Sequence, residues 1–326
     1  MKDLTILFLA KYAPQKIGEF TSEKLYDFLY AEYHEDIYKI IKQHFPNTIS
    51  ATDPEYLFSN SKFDFVFSLL NRMEFRNSEV FISAICEHLH LPYLGATPNI
   101  RSIAEDKHLA KIFAEHLKIA TAEWFILNYN ENFITTQVPF PVFIKPRYGA
   151  SSKWISDSSI CSNFNEANNQ IKILQQNGLD VLIERYIKGE NYTVGILNNF
   201  GNTFILPPIK EESDNKVITY EEKRKIIPGL KRTVCEDKVL AKKLQDLSKI
   251  YFQSLKPMDY ARFDFIVDNN DINFIEFNLC CNLGRASAIT IASKAIGITY
   301  ESLIENVLFS SLYRNNLSQS VNLYKF

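Results

Sequence analysis

The first 98 residues alternate short apolar runs with amphipathic segments. The apolar runs are LTILFLA, FDFVFSLL and LPYLG, and the amphipathic segments are SEKLYDFLYAEY and SEVFISAICEHLHL. Short buried strands that alternate with helical patterns are typical of a parallel sheet covered by helices. We therefore predict an N-terminal parallel α/β domain.

An amphipathic helix is predicted over residues 99–120. Its polar face presents Lys107 and Lys111. Residue spacings of three and four define its apolar stripe, which consists of Leu109, Ile112, Phe113 and Leu117. We expect this stripe, rather than the face with the lysines, to be the buried one.

Strands with charged ends follow. Val142 to Ile144 predict a strand that delivers Lys145 to the small-residue loop RYGASSK. A second strand, VLIERYI, ends at KGE, and YTVGIL begins a third. The residues from 198 to 229 are polar and irregular, and so long a loop in a compact domain is typical of a lid or of disorder.

The segment ARFDFIVDNNDINFIEFNL predicts a β-hairpin. A three-residue loop at 269–271 would set Asp264 opposite Glu276. Because side chains alternate between the two faces of a strand, Arg262 and Asn278 would share the face of these carboxylates. The other face would be filled by Phe263, Phe265, Ile275 and Phe277.

Length and composition restrict the class of protein. The chain has 326 residues, 46% hydrophobic and 23% charged, so it can bury a large core and is expected to form two or three domains. A formal net charge of −2 argues against nucleic acid and membrane surfaces as partners. The five cysteines form no CxxC pair, which predicts reduced thiols in a cytoplasmic protein.

The polar face of the hairpin indicates a site for a divalent cation. Asp264, Glu276 and Asn278 offer oxygen ligands, which Mg²⁺ prefers and usually shares with phosphates. Lys145 and the loop at 149–152 would bring a cation and backbone N–H groups to the same phosphates. Neither GxxxxGK[ST] nor GxGxxG follows a predicted strand, so P-loop and Rossmann sites are not predicted. A solvent-facing hairpin and an ordinary turn are the alternatives.

The ordered set of motifs resembles a known family. Lys107 on a helix, then IKPRYGASS, LIERYIKGE, YEEK, ARFDF and EFNL, is similar to the ATP-grasp superfamily, in particular to its D-alanine–D-alanine ligase branch. The resemblance covers nearly the whole chain and implies an α/β protein with the α+β ATP-grasp fold. Two subdomains would clasp ATP between them. The implied division is an N-terminal α/β domain at 1–98, a central subdomain at 99–189, and a C-terminal subdomain at 190–326 with a lid loop at about 207–229.

The resemblance implies which residues bind the phosphates of ATP. Lys107 and Lys145 would hold the α- and β-phosphates. The loop that contains Ser151 and Ser152 would fold over them, and Lys223 in the lid would reach the γ-phosphate.

Adenine and ribose contacts are implied in the same way. Glu184 would accept a hydrogen bond from the adenine amino group, and the backbones of Arg185 and Ile187 would read the edge of the ring. The ribose-binding glutamate of the family corresponds to Asn191, and Glu190 lies one residue before it.

The metal and catalytic residues are implied to lie on the hairpin and in its surroundings. Asp264, Glu276 and Asn278 would hold two Mg²⁺ ions, for which Mn²⁺ is an alternative. Arg262 would stabilise an acyl phosphate and the tetrahedral adduct that follows it. The residues that we assign to catalysis are Arg262, Lys223, Ser151 and Asn282.

The substrate-facing motifs depart from the family. The N-terminal segment is KYAPQKIGEFTSE, in which Glu19 or Glu23 replaces the glutamate that holds the first amino group. Arg224 follows Lys223 where a tyrosine is usual, and Leu279-Cys280-Cys281-Asn282 stands in place of Thr-x-Pro-Gly. Ser287 matches the serine that binds the carboxylate of the second substrate, and Arg285 would add a cation beside it.

These residues predict an ATP-dependent carboxylate–amine ligase that forms an amide or peptide bond through an acyl phosphate. An amino acid or other small carboxylate would be the donor, and a small amine the acceptor, with substrates other than two D-alanines favoured. An ATP-grasp phosphotransferase and a non-catalytic ATP-binding module are the alternatives. The resemblance also implies a homodimer.

Overall fold

A computed structural model describes residues 3–14, 28–59, 61–71, 73, 75–76, 78–149, 152–223 and 229–318. The strands in these ranges are β1 (Ile6–Leu9), β2 (Ile49–Ala51), β3 (Phe65–Ser68), β4 (Trp124–Leu127), β5 (Val142–Pro146), β6 (Ile160–Cys161), β7 (Val181–Arg185), β8 (Glu190–Asn199), β9 (Asn202–Ile205), β10 (Ile209–Glu212), β11 (Lys231–Val234), β12 (Tyr260–Asp268) and β13 (Asp271–Leu279). The α-helices are α1 (Phe28–His44), α2 (Ser78–His88), α3 (Pro98–Glu105), α4 (Lys107–His116), α5 (Phe164–Gln176), α6 (Tyr220–Lys223), α7 (Lys238–Ser254), α8 (Ala288–Ala295) and α9 (Tyr300–Arg314).

The strands form three sheets. The first is parallel, in the order β2-β1-β3, as the N-terminal pattern predicts. The second has four strands in the order β4-β7-β5-β6. The third has six, in the order β11-β10-β8-β12-β13 with β9 paired to β8. Mixed parallel and antiparallel sheets agree with the predicted α/β class.

Both faces of the parallel sheet are buried. Ile6 and Phe8 share a core with α1 and with the C-terminal helices α8 and α9. Leu7 and Leu9 point to the other side, where they share a core with residues of α2. Burial on both faces explains why LTILFLA is a continuous apolar run rather than an alternating one.

The segment at 99–120 differs from its prediction. It forms two helices, α3 and α4, which meet at Asp106. Lys107 and Lys111 are buried, whereas Leu109 and Ile112 keep 38% and 44% of their surface exposed. The predicted stripe is therefore only partly buried, because Phe113 and Leu117 pack against the core of the six-stranded sheet while Leu109 and Ile112 do not. Lys111 is buried in an ion pair with Glu184 of the four-stranded sheet.

The small residues of α4 allow the helix to lie close to the six-stranded sheet. Ala110 and Ala114 belong to the core of that sheet, and the hydroxyl of Tyr251 donates to the carbonyl of Ala110 at 2.9 Å. The predicted domain division instead groups this helix with the four-stranded sheet. The domain boundaries stay a prediction.

The polar segment after residue 198 is more ordered than predicted. It contains β9, β10 and α6, so the expectation of irregular structure from 198 to 229 is wrong. Strand β10 is polar because its side chains form ion pairs: Lys210 contacts Glu190 at 2.7 Å and Glu212 at 3.1 Å. Alternation of apolar and polar residues is lost in such a strand. Residues 224–228 of the predicted lid lie outside the described residues.

The hairpin of β12 and β13 has the predicted pairing of Asp264 with Glu276, but it reaches it by another route. Its turn has two residues, Asn269 and Asn270, at φ 47° and 76°, and Asp268 pairs with Asp271. The predicted three-residue loop is therefore wrong. A β-bulge between Asp264 and Phe265 restores the register.

The bulge changes which side chains are buried. Phe274 pairs with Phe265 and is buried, while Ile275, which was predicted to be buried, is partly exposed. The segment after α4 forms hydrogen bonds with the backbone groups at the bulge. The N–H of Phe274 donates to the carbonyl of Ala120 at 2.8 Å, and its own carbonyl accepts from the Thr121 hydroxyl at 2.8 Å.

A buried carboxylate fixes the C-terminal helix. Asp259 accepts from Arg314 Nε at 2.6 Å, from the Ser311 hydroxyl at 2.6 Å and from the N–H of Gly95 at 2.6 Å. Arg314 also donates to the carbonyl of Tyr93 at 2.8 Å. Helix α9 is thereby connected to the segment before α3 and to the start of β12.

We predict that Asp259→Ala lowers the free energy of unfolding by about 3–5 kcal/mol, because it leaves the Arg314 guanidinium without its buried partner. Urea denaturation followed by circular dichroism measures the loss. The control is Asp246→Ala, which removes an exposed pair with Lys242 on α7 and is expected to cost about 0.3–0.5 kcal/mol. Equal losses in the two variants would contradict the prediction.

Candidate active site

A cleft of about 1110 Å³ lies between the four-stranded and six-stranded sheets. The four-stranded sheet contributes Lys145 and Glu184 to its wall, and the six-stranded sheet contributes Asp264 and Glu276. Residues predicted to bind a nucleotide and residues predicted to bind a metal thus face one space.

Three lysines lie in the wall of the cleft. Lys145 Nζ is 2.6 Å from one oxygen of Glu184, and Lys111 Nζ is 2.8 Å from the other. Lys107 Nζ donates to the carbonyl of Gly149, at the start of the small-residue loop. Lys107 and Lys145 are therefore brought together as the motifs predict.

Glu184 makes contacts that its predicted role does not include. Each of its oxygens binds a buried lysine and keeps a second lone pair, so the hydrogen bond from the adenine amino group stays a prediction. Burial raises the pKa of this carboxyl group, but the charges of Lys111 and Lys145 outweigh it and set the pKa to about 2. The physical function of Glu184 here is to hold two lysines in place.

Lys111 is the residue that sequence reasoning left without a role. Besides Glu184, its Nζ donates to the Thr121 hydroxyl at 2.7 Å and to the carbonyl of Ala122 at 3.2 Å. Burial lowers its pKa, although Glu184 opposes this shift. The available signal was its spacing of four residues from Lys107, since residues i and i+4 share a helix face.

The start of α4 is fixed by a second ion pair. Asp106 caps the helix by accepting from the N–H of His108 at 3.0 Å. The same carboxylate receives both Nε and Nη2 of Arg147, at 2.9 and 2.6 Å. Because Arg147 lies directly after β5, this ion pair holds the helix that carries Lys107 beside the strand that carries Lys145.

The residues predicted to contact the base and the ribose come from both of the sheets that bound the cleft. Arg185, Ile187 and Asn191 line the cleft. The backbone N–H of Arg185 already donates to the carbonyl of Glu123 at 2.9 Å. Other backbone groups would therefore have to contact the edge of the adenine ring. Glu190 is not among the lining residues, because its carboxylate binds Lys210 and the Tyr192 hydroxyl. Asn191 is thus the better placed of the two ribose candidates.

Polar side chains converge on the hairpin as predicted. Arg262 binds Asp264 through two hydrogen bonds of 2.8 and 2.7 Å. Asn278 Nδ2 donates to Asp264 at 3.2 Å and to Glu276 at 3.4 Å. The hydroxyl of Thr193 on β8 also donates to Asp264, at 2.8 Å. This contact of Thr193 was not predicted.

The charge of Glu276 is stabilised from across the cleft. Burial raises the pKa of its carboxyl group. The positive charges of Lys107, Lys223, Lys145 and Arg262 have the larger, opposite effect and lower this pKa to about 2. Glu276 is therefore a carboxylate that faces the predicted phosphate-binding lysines. This is the charge distribution that a phosphate-bound divalent cation requires.

The donor set fits Mg²⁺ rather than a softer metal. Asp264, Glu276 and Asn278 present two partly exposed carboxylates and a buried amide, all of which carry hard oxygen donors. The described residues contain no group of three or more His, Cys, Asp and Glu that could hold a metal ion. A cation between the two facing carboxylates would relieve their mutual repulsion.

Lys223 ends α6 and lines the cleft. The neighbouring Glu222 is buried and fixes the turn before the helix, because it accepts from the Ser213 hydroxyl at 2.6 Å and from the N–H of Thr219 at 2.9 Å. Ser152 also lines the cleft, at φ 56°. Ser151, Arg224, Glu19 and Glu23 lie outside the described residues.

The predicted acceptor residues are only partly brought together. Ser287 caps α8 by accepting from the N–H of Thr290 at 3.2 Å. Asn282 Oδ1 accepts from the N–H of Gly284 at 2.6 Å and so shapes the loop before Ser287. Arg285 keeps 57% of its side chain exposed and pairs with Asp36 at 2.9 Å. It is not a lining residue of the cleft, so its position does not support contact with an acceptor there.

The adjacent thiols of Cys280 and Cys281 are buried, as expected for packing residues. Burial raises the pKa of Cys280, and Arg101 donates to its sulfur at 3.3 Å. A thiol with a raised pKa is a poor nucleophile near neutral pH.

This chain is similar to a known family and to individual ligases. The family described as "D-ala D-ala ligase C-terminus" matches residues 113–309. A D-alanine–D-alanine ligase of Marinomonas sp. (strain MWYL1) is 27% identical over 282 residues, which cover 83% of this chain and 84% of that protein. The corresponding ligase of Buchnera aphidicola is 29% identical over 248 residues, covering 70% and 76%.

A solved structure has the same fold. The D-alanine–D-alanine ligase of Bacillus anthracis complexed with ATP superimposes with a TM-score of 0.75 over 96% of this chain and 99% of that one, at 21% identity. The likeness confirms the predicted ATP-grasp fold. In the described ranges, no helix combines the length and the apolar character needed to cross a bilayer.

We predict that Glu184→Gln lowers the free energy of unfolding at pH 7 by about 3–5 kcal/mol, because two buried lysines lose their counterion. The folded-state pKa of about 2 lies below the ordinary 4.5. The ionised carboxylate therefore stabilises the fold above pH 4.5, and this contribution is lost as the pH falls toward 2. The difference between wild type and variant is thus expected to shrink over that interval.

Urea denaturation at a series of pH values measures this difference. Glu236→Gln, at an exposed position, is the control and is expected to match the wild type throughout. A difference between wild type and Glu184→Gln that stays constant down to pH 3 would rule out the proposed linkage.

Proposed function

Since the chain belongs to the D-ala D-ala ligase C-terminus family, we propose that it joins a carboxylate to an amine through an acyl phosphate. Its class of activity follows from the family: it is an ATP-dependent ligase that forms C–N bonds. The observation that carries the proposal is the arrangement of Lys107 and Lys145 opposite Glu276 in one cleft. Such an arrangement suits the phosphates of a nucleotide and a divalent cation.

The need for ATP is thermodynamic. Amide formation from a carboxylate and an amine in water is uphill, so the carboxylate first takes the γ-phosphoryl group of ATP and ADP leaves. The amine then attacks the acyl carbon, phosphate departs, and the amide remains. Because water would hydrolyse the acyl phosphate, the cleft must close around it.

The side chains of this chain would divide the work by position. Lys107 and Lys145 would bind the phosphates, and Lys223 on α6 would neutralise the phosphoryl group in transfer. Arg262 would stabilise the negative charge on the acyl phosphate and on the adduct. In the described site, Asn191 is the ribose candidate, and Arg185 and Ile187 line the wall where adenine would lie.

Asp264, Glu276 and Asn278 would hold Mg²⁺. The ion, when bound, neutralises phosphate charge and acts as a Lewis acid toward the transferred phosphoryl group. Arg262 would orient Asp264 toward that position through its two hydrogen bonds.

The substrates are proposed to differ from two D-alanines. The relatives named above are D-alanine–D-alanine ligases, whereas the KYAPQKIGEFTSE segment and the Cys280-Cys281-Asn282 sequence of this chain depart from the family pattern. Both departures concern substrates rather than ATP. A small amino acid or other carboxylate as donor, a small amine as acceptor and a homodimeric assembly complete the proposal.

The test is phosphate release from ATP and Mg²⁺ with single and paired D- and L-amino acids, followed by mass spectrometry of the products. We expect phosphate only with a pair, together with a product lighter by one water than the sum of its substrates. A single substrate that gains a phosphoryl group would instead establish a phosphotransferase. ATP binding without turnover across the panel would contradict the proposed ligase.

A charge-removing variant tests the hairpin site. Glu276→Gln is expected to reduce kcat about 10²–10³-fold, because it removes a metal-binding charge that acts in the transition state. Asp271→Asn on the same hairpin is the matched control, since Asp271 is exposed at the turn and is expected to leave kcat unchanged. Steady-state phosphate release measures both. Full activity of Glu276→Gln would remove this residue from the site.

A further inference from the structure

The N-terminal region forms a third wall of the cleft. The lining residues there are Lys11, Leu70, Met73, Phe75, Arg76 and Ser78. Lys11 follows β1 and Leu70 follows β3, so both lie at the carboxyl edge of the parallel sheet. The strand order β2-β1-β3 reverses at β1. In open α/β sheets, ligands bind outside the carboxyl ends of the strands at such a point. The edge that carries Lys11 therefore has the position of a ligand site.

The backbone holds Lys11 in a fixed position at this edge. Lys11 is exposed, whereas both of its neighbours in the sequence are buried. It lies in a tight turn, in which the N–H of Ala13 donates to the carbonyl of Ala10 at 3.0 Å. The N–H of Tyr12 donates to His34 Nδ1 at 3.2 Å, and Lys11 Nζ lies 5.0 Å from the centre of the Tyr12 ring. The turn thus sets the place at which the ammonium group enters the cleft.

The charges on this wall favour an anion. Within the described part of residues 1–98, Lys11 and Arg76 line the cleft and no carboxylate does. Arg76 is engaged by the rest of the chain, because it lies 3.2 Å from Asp180 and its guanidinium stacks 5.3 Å from the centre of the Tyr148 ring. An anionic group of a ligand therefore suits this wall, whereas an ammonium group does not.

The carboxyl edge of the parallel sheet is fixed beside the hairpin. Asn71, the residue after Leu70, donates from Nδ2 to the carbonyl of Cys280 at 2.7 Å. Cys280 directly follows β13 and is two residues from Asn278 of the proposed metal site. The edge with Lys11 and the proposed metal site therefore bound neighbouring parts of one cleft.

The charges proposed to act on the reacting carboxylate come from other elements. Arg262 lies on β12 and Lys223 on α6, whereas Lys11 belongs to the edge of the parallel sheet. A donor whose carboxylate is activated beside Arg262 therefore needs a second anionic group to use Lys11. Leu70 and Met73 pack in the core of the parallel sheet and line the cleft. They offer an apolar surface to the carbon chain that joins the two groups.

We propose that Lys11 binds a second anionic group of the donor, so that the donor is a dicarboxylate such as an acidic amino acid. This inference rests on the proposed ligase function, which it deepens by stating the class of donor. It also gives a function to the departure from the family pattern in the KYAPQKIGEFTSE segment, which begins at Lys11.

The experiment compares acidic amino acids and simple dicarboxylates with their monoamides as donors, at saturating ATP, Mg²⁺ and acceptor. The donor is identified as the substrate whose oxygen-labelled carboxylate passes one label to the released phosphate. This transfer is required, because a carboxylate oxygen becomes the bridging oxygen of the acyl phosphate and leaves with the phosphate. Wild type is expected to prefer the dicarboxylate about 10–100-fold in kcat/KM, as for a charge-assisted hydrogen bond.

Variants of Lys11 test the contact itself. Lys11→Gln is expected to raise the KM for the preferred dicarboxylate about 10–100-fold, with the KM for its monoamide and for ATP within about twofold of wild type. Lys11→Glu reverses the charge and is expected to accept a donor with a second ammonium group better than wild type does. Lys62→Gln is the matched control, because Lys62 is exposed before β3, at the opposite edge of the same sheet, and does not line the cleft.

The outcomes separate the two proposals. A wild-type enzyme that forms product without a preference for the dicarboxylate would overturn this inference alone. A preference that Lys11→Gln retains would do the same. So would an equal fall in kcat with dicarboxylate and monoamide in that variant, since it would place Lys11 at the reacting carboxylate. A wild-type protein that binds ATP but forms no product with any pair would overturn the ligase function and this inference with it.

Discussion

Two lysines share one buried carboxylate at the place where the two large sheets meet. Lys145 comes from the four-stranded sheet, as Glu184 does, and Lys111 comes from a helix packed on the six-stranded sheet. Lys111 also donates to Thr121, whose hydroxyl donates to the carbonyl of Phe274 at the bulge. One chain of contacts thus extends from the wall with the lysines to the hairpin with the carboxylates. The geometry of the whole cleft depends on it.

Sequence reasoning succeeded where local pattern and chemistry agree. Alternation identified the hairpin itself, whereas the facing of Asp264 and Glu276 agrees with the prediction because two departures cancel: the turn is one residue shorter than predicted, and the bulge compensates for it. Sequence reasoning failed where a distant partner decides. The spacing of Leu109 and Ile112 indicates a buried stripe, but both stay partly exposed, while Lys111 is buried in its ion pair with Glu184. The sequence of the helix alone contains no information about where Glu184 lies.

The candidate site likewise contains features that the sequence could predict and features that it could not. Four residues that the order of motifs singles out line one cleft, namely Lys107, Lys145, Asp264 and Glu276, and Asn278 donates to both of the carboxylates. The two lysine contacts of Glu184 and the pairing of Arg285 with Asp36 are products of tertiary packing, which single positions do not reveal. Strand β10 was missed since its alternation is hidden by ion pairs that need residues from its neighbours.

The bulge on β13 allows the shape of the hairpin to change while its cross-strand pairs are kept. Residues 273–276, four successive positions of β13 that include Ile275 and Glu276, all line the cleft. Ile275 is the extra residue, because Phe274 already pairs with Phe265 and Glu276 with Asp264. Deletion of that single isoleucine would flatten the strand without unpairing the carboxylates. The shape of the cleft and its charge can therefore vary independently as related sequences diverge.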